Sequence, residues 1–215
     1  MTIQNGPIPD FLESIEIMAE TAKAFRPNAK RIFDMGCGHG YMAKALMKLY
    51  PGAHFSILDI HPTPLKLTGK MTKGLTTQSP EFIQADILDV KLPKSSYNVI
   101  TAMHSFWFLN DIERVIVLRK LKDSLAPRGC LLVGVQVGED HPLVANVVKE
   151  RIKKEAQAIF ETERTDALTE LYTKTVQYYP SASIMRDLLI YAGFTAEVIL
   201  IHKRQASAVF LAVKP

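Results

Sequence analysis

The chain has 215 residues, of which 47% are hydrophobic and 22% charged, and it carries a formal net charge of +4 with a pI near 9.0. This composition excludes a disordered or collagen-like protein, and the two cysteines exclude a disulfide framework. No apolar run approaches the roughly 18 residues that span a membrane, and the N-terminus lacks the basic and apolar regions of a secretory signal. We therefore expect one domain over residues 1–215, located in the cytoplasm and without a membrane partner.

Helices and strands alternate along the first two thirds of the chain. An amphipathic helix is predicted over 11–25, within an N-terminal helical cap formed by residues 1–28. Strands are then predicted at 30–35, 54–59, 80–85, 97–103 and 129–137, with helices near 40–50, 62–73 and 110–125. This alternation predicts a doubly wound α/β fold, in which a parallel sheet carries helices on both faces.

The last third of the chain departs from this alternation. Apolar residues at helical spacing over 144–159 and 168–179 predict a helical insertion, residues 138–181, after the fifth strand. A further helix is predicted to begin at Ser181 or Ser183 and to stop at Gly193, followed by a hairpin of two strands at 195–203 and 207–214. The sheet is therefore predicted to have seven strands, mostly parallel, with an antiparallel strand from the C-terminal hairpin.

A glycine-rich turn separates the first predicted strand from the helix that follows it. It contains Asp34, Gly36, Gly38 and Gly40 at alternate positions. Such a turn lets a ligand approach bare backbone and aims the N–H groups of the helix start at it. The acid-x-Gly-x-Gly-x-Gly spacing differs from the Gly-x-Gly-x-x-Gly of dinucleotide binders. It resembles motif I of the class I S-adenosylmethionine-dependent methyltransferases, and the resemblance extends from about residue 30 to the C-terminus.

The resemblance implies that S-adenosylmethionine is the cofactor and S-adenosylhomocysteine the product. The turn residues implied to contact it are Asp34, Gly36, Cys37, Gly38 and Gly40. Asp59 ends the second predicted strand, where a carboxylate can accept hydrogen bonds from both ribose hydroxyls. Ile60 is implied to lie against one face of the adenine. A purely structural alternative is that Asp59 caps the helix beginning near Pro62.

The end of the third predicted strand supplies the rest of the implied adenine site. The family often places an acid there that accepts a hydrogen bond from the adenine amine, and Asp86 occupies this position. Ile87 is implied to add a backbone N–H and an apolar contact, and Met103, at the end of the fourth strand, to contact the cofactor as well. Asp86 can instead be a turn residue, and Asp89 is a competing carboxylate farther from the strand end.

The loop after the fourth strand, residues 104–109, lies where methyl donor and acceptor are implied to meet. It lacks the Asn-Pro-Pro-Tyr signature of adenine and glutamine methylation. His104 is the candidate catalytic base, since its pKa suits proton transfer, although it can equally be a polar residue that shapes the site. Trp107 is a candidate wall of the acceptor pocket, with core packing as the alternative. The transfer is an in-line displacement, which requires the reacting atoms to be aligned about 3–3.5 Å apart.

Two further features concern the fifth strand and the segment after it. The run from Leu125 to Gly129 resembles the Leu-x-Pro-Gly-Gly turn of the family, with Arg128 in place of the first glycine. Residues 138–181 are interpreted as a lid over the acceptor pocket. The lid residues proposed to line the pocket for a small aromatic or amphipathic acceptor are His141, Tyr172 and Tyr178, with core packing as the alternative for Tyr172. No Cys/His cluster has metal-ligand spacing, so no metal is expected.

These features predict an S-adenosylmethionine-dependent methyltransferase that acts on a small-molecule acceptor. A dinucleotide oxidoreductase is disfavoured by the glycine spacing, and a polyamine synthase by the absence of paired acids after the fourth strand. The alternative outside enzymology is a cofactor-binding but non-catalytic partner or RNA-binding subunit of the same fold. The sequence leaves an RNA acceptor and a homodimer open.

Overall fold

A computed structural model of the protein describes residues 11–137, 180–194, 197–204 and 207–215. The strands in these ranges are β1 (Arg31–Met35), β2 (His54–Asp59), β3 (Glu81–Gln84), β4 (Tyr97–Met103), β5 (Leu125–Gln136), β6 (Glu197–Arg204) and β7 (Ser207–Val213). The helices are α1 (Phe11–Phe25), α2 (Tyr41–Leu49), α3 (Pro62–Met71), α4 (Asp111–Ser124) and α5 (Ala182–Tyr191).

The strands of the described ranges form one seven-stranded sheet in the order β3-β2-β1-β4-β5-β7-β6. Neighbours from β3 to β5 are parallel, whereas β7 runs antiparallel to both β5 and β6. The predicted α/β fold with a C-terminal antiparallel hairpin is confirmed. Because the chain builds outward from β1 in one direction and then from β4 in the other, the carboxyl ends of β1 and β4 flank the crevice where such sheets bind ligands.

Hydrophobic residues on both faces of the sheet explain the two layers of helices. Along β1, Ile32 belongs to the core formed with α1, α2 and α3, while its neighbour Phe33 belongs to the core formed with α4 and α5. Both side chains are fully buried, as expected for a strand covered on both faces. The sheet therefore holds the carboxyl ends of its strands on a rigid, closely packed scaffold.

The element boundaries differ from the sequence prediction at β5. The strand was expected to begin at 129, but Leu125 already pairs with Tyr97, and the register shifts before Val99 pairs with Cys130. At the start of α5, the Ile184 N–H donates to Ser181 Oγ at 3.2 Å, so the cap is Ser181. The predicted helices of the insertion fall within residues 138–179, which lie outside the described ranges.

Candidate functional site

The glycine turn after β1 has backbone conformations that favour glycine. Gly36 and Gly38 have φ angles of +70° and +50°. A Cβ at Gly36 would lie 2.6 Å from the Ser105 Cβ, so the loop after β4 packs directly on this turn. A Cβ at Gly38 would instead meet no atom within 4 Å. The turn therefore borders open space at Gly38, while its other side is fixed by protein.

Helix α3 holds the far side of the turn through a residue that the sequence analysis did not single out. Thr68 is fully buried, and its Oγ1 donates to Gly38 O at 3.5 Å. A Cβ at Gly40 would lie 2.9 Å from the Thr68 Cα, so a glycine is required for this approach. Burial raises the pKa of the neighbouring Cys37 thiol to about 12, which makes Cys37 a packed, uncharged group.

Asp34 is a nearly fully buried carboxyl group at the end of β1. Its Oδ1 accepts a 2.7 Å hydrogen bond from Thr101 Oγ1 on the adjacent strand, but its Oδ2 has no partner within the described residues. Burial raises its pKa to about 6, against the lowering effect of the Thr101 bond and with a smaller raising contribution from the nearby Asp59 charge. An unpaired carboxylate oxygen in such a place is able to pair with a cationic ligand group.

Asp59 ties the end of β2 to two neighbouring loops. Its Oδ2 accepts from the Gly38 N–H at 3.1 Å, and its Oδ1 accepts from the His61 N–H at 3.0 Å. The alternative of helix capping is thus partly realised, since His61 is the N-cap residue of α3. Oδ2 also accepts a weak bond from Cys37 Sγ at 3.8 Å, whereas Oδ1 keeps a second lone pair for a ligand hydroxyl. Next to it, the Ile60 side chain is 52% exposed and offers an apolar surface beside the carboxylate.

The loop after β3 forms a single tight turn. Asp86 Oδ1 accepts from the Leu88 N–H at 2.8 Å, and Asp86 O accepts from the Val90 N–H at 2.9 Å. The turn role considered for Asp86 is therefore real, and within the described ranges its Oδ2 makes no hydrogen bond. Ile87 is buried at the start of this turn. The backbone bond from the Ala85 N–H to Asp59 O, 3.2 Å long, places this turn beside the end of β2.

His104 follows β4 with a left-handed backbone, φ +51°, which is uncommon for a residue other than glycine. Its N–H donates to Gly134 O at 2.7 Å, and its ring lies 5.6 Å from the Phe11 ring of α1. Its Nε2 is 3.5 Å from Ser207 Oγ, whereas its buried Nδ1 has no hydrogen-bond partner in the described part of the chain. Burial lowers the pKa of His104 to about 3, so the imidazole is neutral at physiological pH.

Aromatic side chains surround His104 at this edge of the sheet. The half-buried Trp107 ring lies 6.3 Å from the His104 ring, and Phe11 packs edge-to-face on Tyr41 at 6.0 Å. Met103 is buried and its sulfur approaches Gly134 on β5. The contribution of α1 through Phe11 was not predicted, because nothing local in the sequence marks which end of an amphipathic helix meets a site 93 residues away.

The structure thus brings most of the predicted site residues together at the carboxyl ends of β1 to β4. They are Asp34, Gly36, Cys37, Gly38, Gly40, Asp59, Ile60, Asp86, Ile87, Met103, His104 and Trp107. The proposed acceptor residues His141, Tyr172 and Tyr178 lie outside the described residues.

The described ranges also lack the features of two other kinds of site. They contain no group of three or more His, Cys, Asp or Glu side chains arranged to hold a metal ion. None of their helices combines the length and hydrophobicity needed to cross a bilayer.

An open α/β sheet with a glycine turn at its switch point and an acid ending the next strand defines a domain that binds a nucleoside-containing ligand. Comparison with known proteins narrows this class. Residues 32–129 match the family described as "Methyltransferase domain". This region is therefore similar to methyltransferase domains, and the order of the sheet is that of the α/β methyltransferase fold.

Similar proteins align with about half of the chain or with nearly all of it. It is 28% identical over 211 residues to a carboxy-S-adenosyl-L-methionine synthase of Wolinella succinogenes, covering 96% of this chain and 86% of that protein. It is 34% identical over 104 residues to a malonyl-[acyl-carrier protein] O-methyltransferase of Bacillus cereus, covering 47% of this chain and 36% of that protein. The plantazolicin methyltransferase BpumL, solved in complex with SAH, shares the fold with a TM-score of 0.66 at 15% identity, covering 97% and 85% of the two chains.

Proposed function

We propose that this protein transfers a methyl group from S-adenosylmethionine to a small-molecule acceptor at the carboxyl edge of β1 and β4. The observation that carries the proposal is a group of three buried polar atoms that lack hydrogen-bond partners within the described residues. They are Asp34 Oδ2, His104 Nδ1 and Ser105 Oγ. A buried polar group without a partner costs about 1–3 kcal/mol, so three of them at the carboxyl ends of β1 and β4 favour a polar ligand that completes their hydrogen bonds.

The residues at this edge match the chemical parts of the donor. Asp34 Oδ2 is suited to the donor's ammonium group, Asp59 to the ribose hydroxyls, and the exposed Ile60 to one face of the adenine. Asp86 Oδ2 is left to accept from the adenine amine. The donor supplies an activated methyl group on a sulfonium, so the protein's task is alignment of acceptor, methyl and sulfur.

His104 is proposed to meet the acceptor. Because its imidazole is neutral, it can accept a hydrogen bond from an acceptor hydroxyl, but with a pKa near 3 it is a weak base. We therefore assign His104 mainly to orienting the acceptor, with Trp107 as an apolar wall.

Gly38 offers a direct test with a matched control. Gly38 and Gly74 both have positive φ angles, +50° and +78°, and a Cβ at either meets no protein atom within 4 Å. Alanine at each position should therefore cost a similar 1–2 kcal/mol of stability. By calorimetry, Gly38→Ala should weaken S-adenosylmethionine binding at least about tenfold, because the methyl group enters donor space, whereas Gly74→Ala should bind normally. Normal binding by Gly38→Ala would show that the glycine turn is not part of the donor site.

A second candidate reaction modifies the donor itself. It is favoured by the relative named as a carboxy-S-adenosyl-L-methionine synthase, which aligns over nearly the whole chain. Methyl transfer to an acceptor releases S-adenosylhomocysteine, whereas this alternative converts the donor to a product heavier by a carboxyl group. Mass spectrometry of the donor pool after incubation with a panel of small carboxylic acids, hydroxylated aromatics and RNA distinguishes the two reactions and tests RNA as an acceptor.

The remaining features of the proposal rest on sequence. Residues 138–181 are proposed to form helices that cover the acceptor, because the apolar residues of this segment recur at helical spacing. His141, Tyr172 and Tyr178 are proposed to line the acceptor pocket. Protection of this segment from hydrogen exchange should increase when acceptor joins the donor, and unchanged protection would argue against a lid. A single domain over 1–215, a cytoplasmic location and a homodimer belong to the same proposal.

A further inference from the structure

Lys120 on α4 contacts the turn after β3, although it lies outside the donor site. Its Nζ donates three hydrogen bonds to backbone carbonyls of that turn: 2.7 Å to Ile87 O, 2.7 Å to Leu88 O and 3.0 Å to Val90 O. Three short bonds use all the donors of one ammonium group. They connect the turn to a helix 30 to 33 residues further along the chain.

The turn needs such a brace because the strand before it is weakly held. In the described sheet β3 is an edge strand of four residues, Glu81–Gln84, and it pairs with β2. Most of its side chains are exposed, so little core packing fixes the position of its carboxyl end. The apolar residues of the turn and Lys120 together hold it against the core that contains α4.

The direction of the bonds determines which groups remain for a ligand. The turn has a helical hydrogen bond, from the Val90 N–H to Asp86 O, and in such a turn the carbonyls point toward its end while the first N–H groups point the other way. Because the carbonyls of the turn point toward Lys120 on α4, the Ile87 N–H points away from α4. The Asp86 carboxylate is at the same, open end of the turn.

We propose that Lys120 is a positioning residue for adenine recognition: by holding the carbonyls of Ile87, Leu88 and Val90 it keeps Asp86 and the Ile87 N–H aimed at the base. This inference rests on the donor placement proposed above. Lys120 does not touch the donor. It acts on the selectivity for the base through the geometry of the turn.

The test compares two ligands that differ at the adenine amine. They are S-adenosylhomocysteine and S-inosylhomocysteine, in which an oxygen replaces the amine and so faces the Asp86 carboxylate as a second acceptor. Calorimetry on the full chain should give the wild-type protein a preference for the adenine ligand of about tenfold or more. Lys120→Met, which keeps the stem and removes the donors, should raise the Kd for S-adenosylhomocysteine about tenfold and raise the Kd for the inosine ligand much less.

Lys122→Met is the matched control. Lys122 lies on the same helix, with its Nζ close to Gly193 at the end of α5, so its loss should leave both Kd values and their ratio unchanged. If Lys120→Met does not fold, Lys120→Gln takes its place: its amide has two donors instead of three on a shorter stem, so it cannot keep all three carbonyl bonds and the preference should still fall.

A reduced preference in the Lys120 variant, with the control unchanged, supports the proposal. An unchanged preference overturns it, whether both Kd values stay at the wild-type level or rise by the same factor, since the second result means that Lys120 serves general stability alone. A wild-type protein that binds neither ligand overturns the donor placement itself, which is a different result from a variant that behaves as wild type.

Discussion

The Asp34 carboxyl group makes the ligand-free protein less stable at neutral pH. Its pKa rises from 3.8 to about 6, chiefly because burial removes it from water. A raised pKa means that the folded state binds the proton more tightly than the unfolded state, so stability falls as pH rises from about 4 through about 6. The full penalty, about 3 kcal/mol, is present above pH 6. A cationic ligand paired with Oδ2 would relieve it.

Replacing Asp34 with asparagine tests this cost. In the variant Asp34→Asn, the amide oxygen can still accept the Thr101 hydrogen bond, but the side chain carries no charge. At pH 7.5 the ligand-free variant should melt about 4 °C above wild type, because the charge penalty exceeds the cost of an unpaired amide. At pH 4.5, where wild-type Asp34 is protonated, the advantage should disappear. A variant that melts below wild type at both pH values would mean that the carboxylate already has a partner.

The same group predicts how donor binding depends on pH. The ionised carboxylate attracts the donor's ammonium, which stays protonated below about pH 8. Affinity for S-adenosylmethionine should therefore rise as pH increases from 5 to 7 and level off above the Asp34 pKa near 6. The variant Asp34→Asn should bind S-adenosylmethionine more weakly, and its affinity should not change with pH over that range. An equally steep pH dependence in the variant would assign the effect to another residue.

At the scale of elements, the irregular first part of β5 contains a strained residue. Arg128 has a φ of +58° where the related turns carry glycine. For an L-residue other than glycine this conformation costs about 1–2 kcal/mol. Substitution by glycine removes that cost, but glycine loses more conformational freedom on folding, which offsets part of the gain. Arg128→Gly should therefore stabilise the protein by about 1 kcal/mol, read as a melting temperature about 2–4 °C higher. Because Arg128 is exposed and remote from the donor site, the Kd for S-adenosylmethionine should not change. A lower melting temperature would show that its side chain makes a compensating contact.

The elements themselves were predictable from local patterns, but several contacts between them were not. Alternating strands and helices predicted a doubly wound, mostly parallel sheet, and the glycine spacing located the turn after β1. Thr68 was missed because a threonine within a helix has no distinctive pattern, although it lies three residues after the buried Leu65 and so on the same face. Lys120 was missed for a related reason: its three partners are backbone carbonyls, which leave no trace in the side-chain sequence.

At the scale of the whole molecule, the topology accounts for the site. Parallel strands place their carboxyl ends at one edge, so Asp34 of β1, Asp59 of β2 and His104 after β4 meet although they are far apart in the chain. Cores on both faces of the sheet hold these strands rigidly. The site can therefore be rigid and still contain unpaired buried groups, because the surrounding core, and not the site, supplies the stability.

The most direct test of the central claim is the crystal structure of the full chain with S-adenosylhomocysteine. The account predicts the ligand's ammonium within hydrogen-bond distance of Asp34 Oδ2, its ribose hydroxyls on Asp59 and its homocysteine portion beside Gly38. A ligand bound elsewhere on the protein, or bound with Asp34 Oδ2 still unpaired, would contradict it.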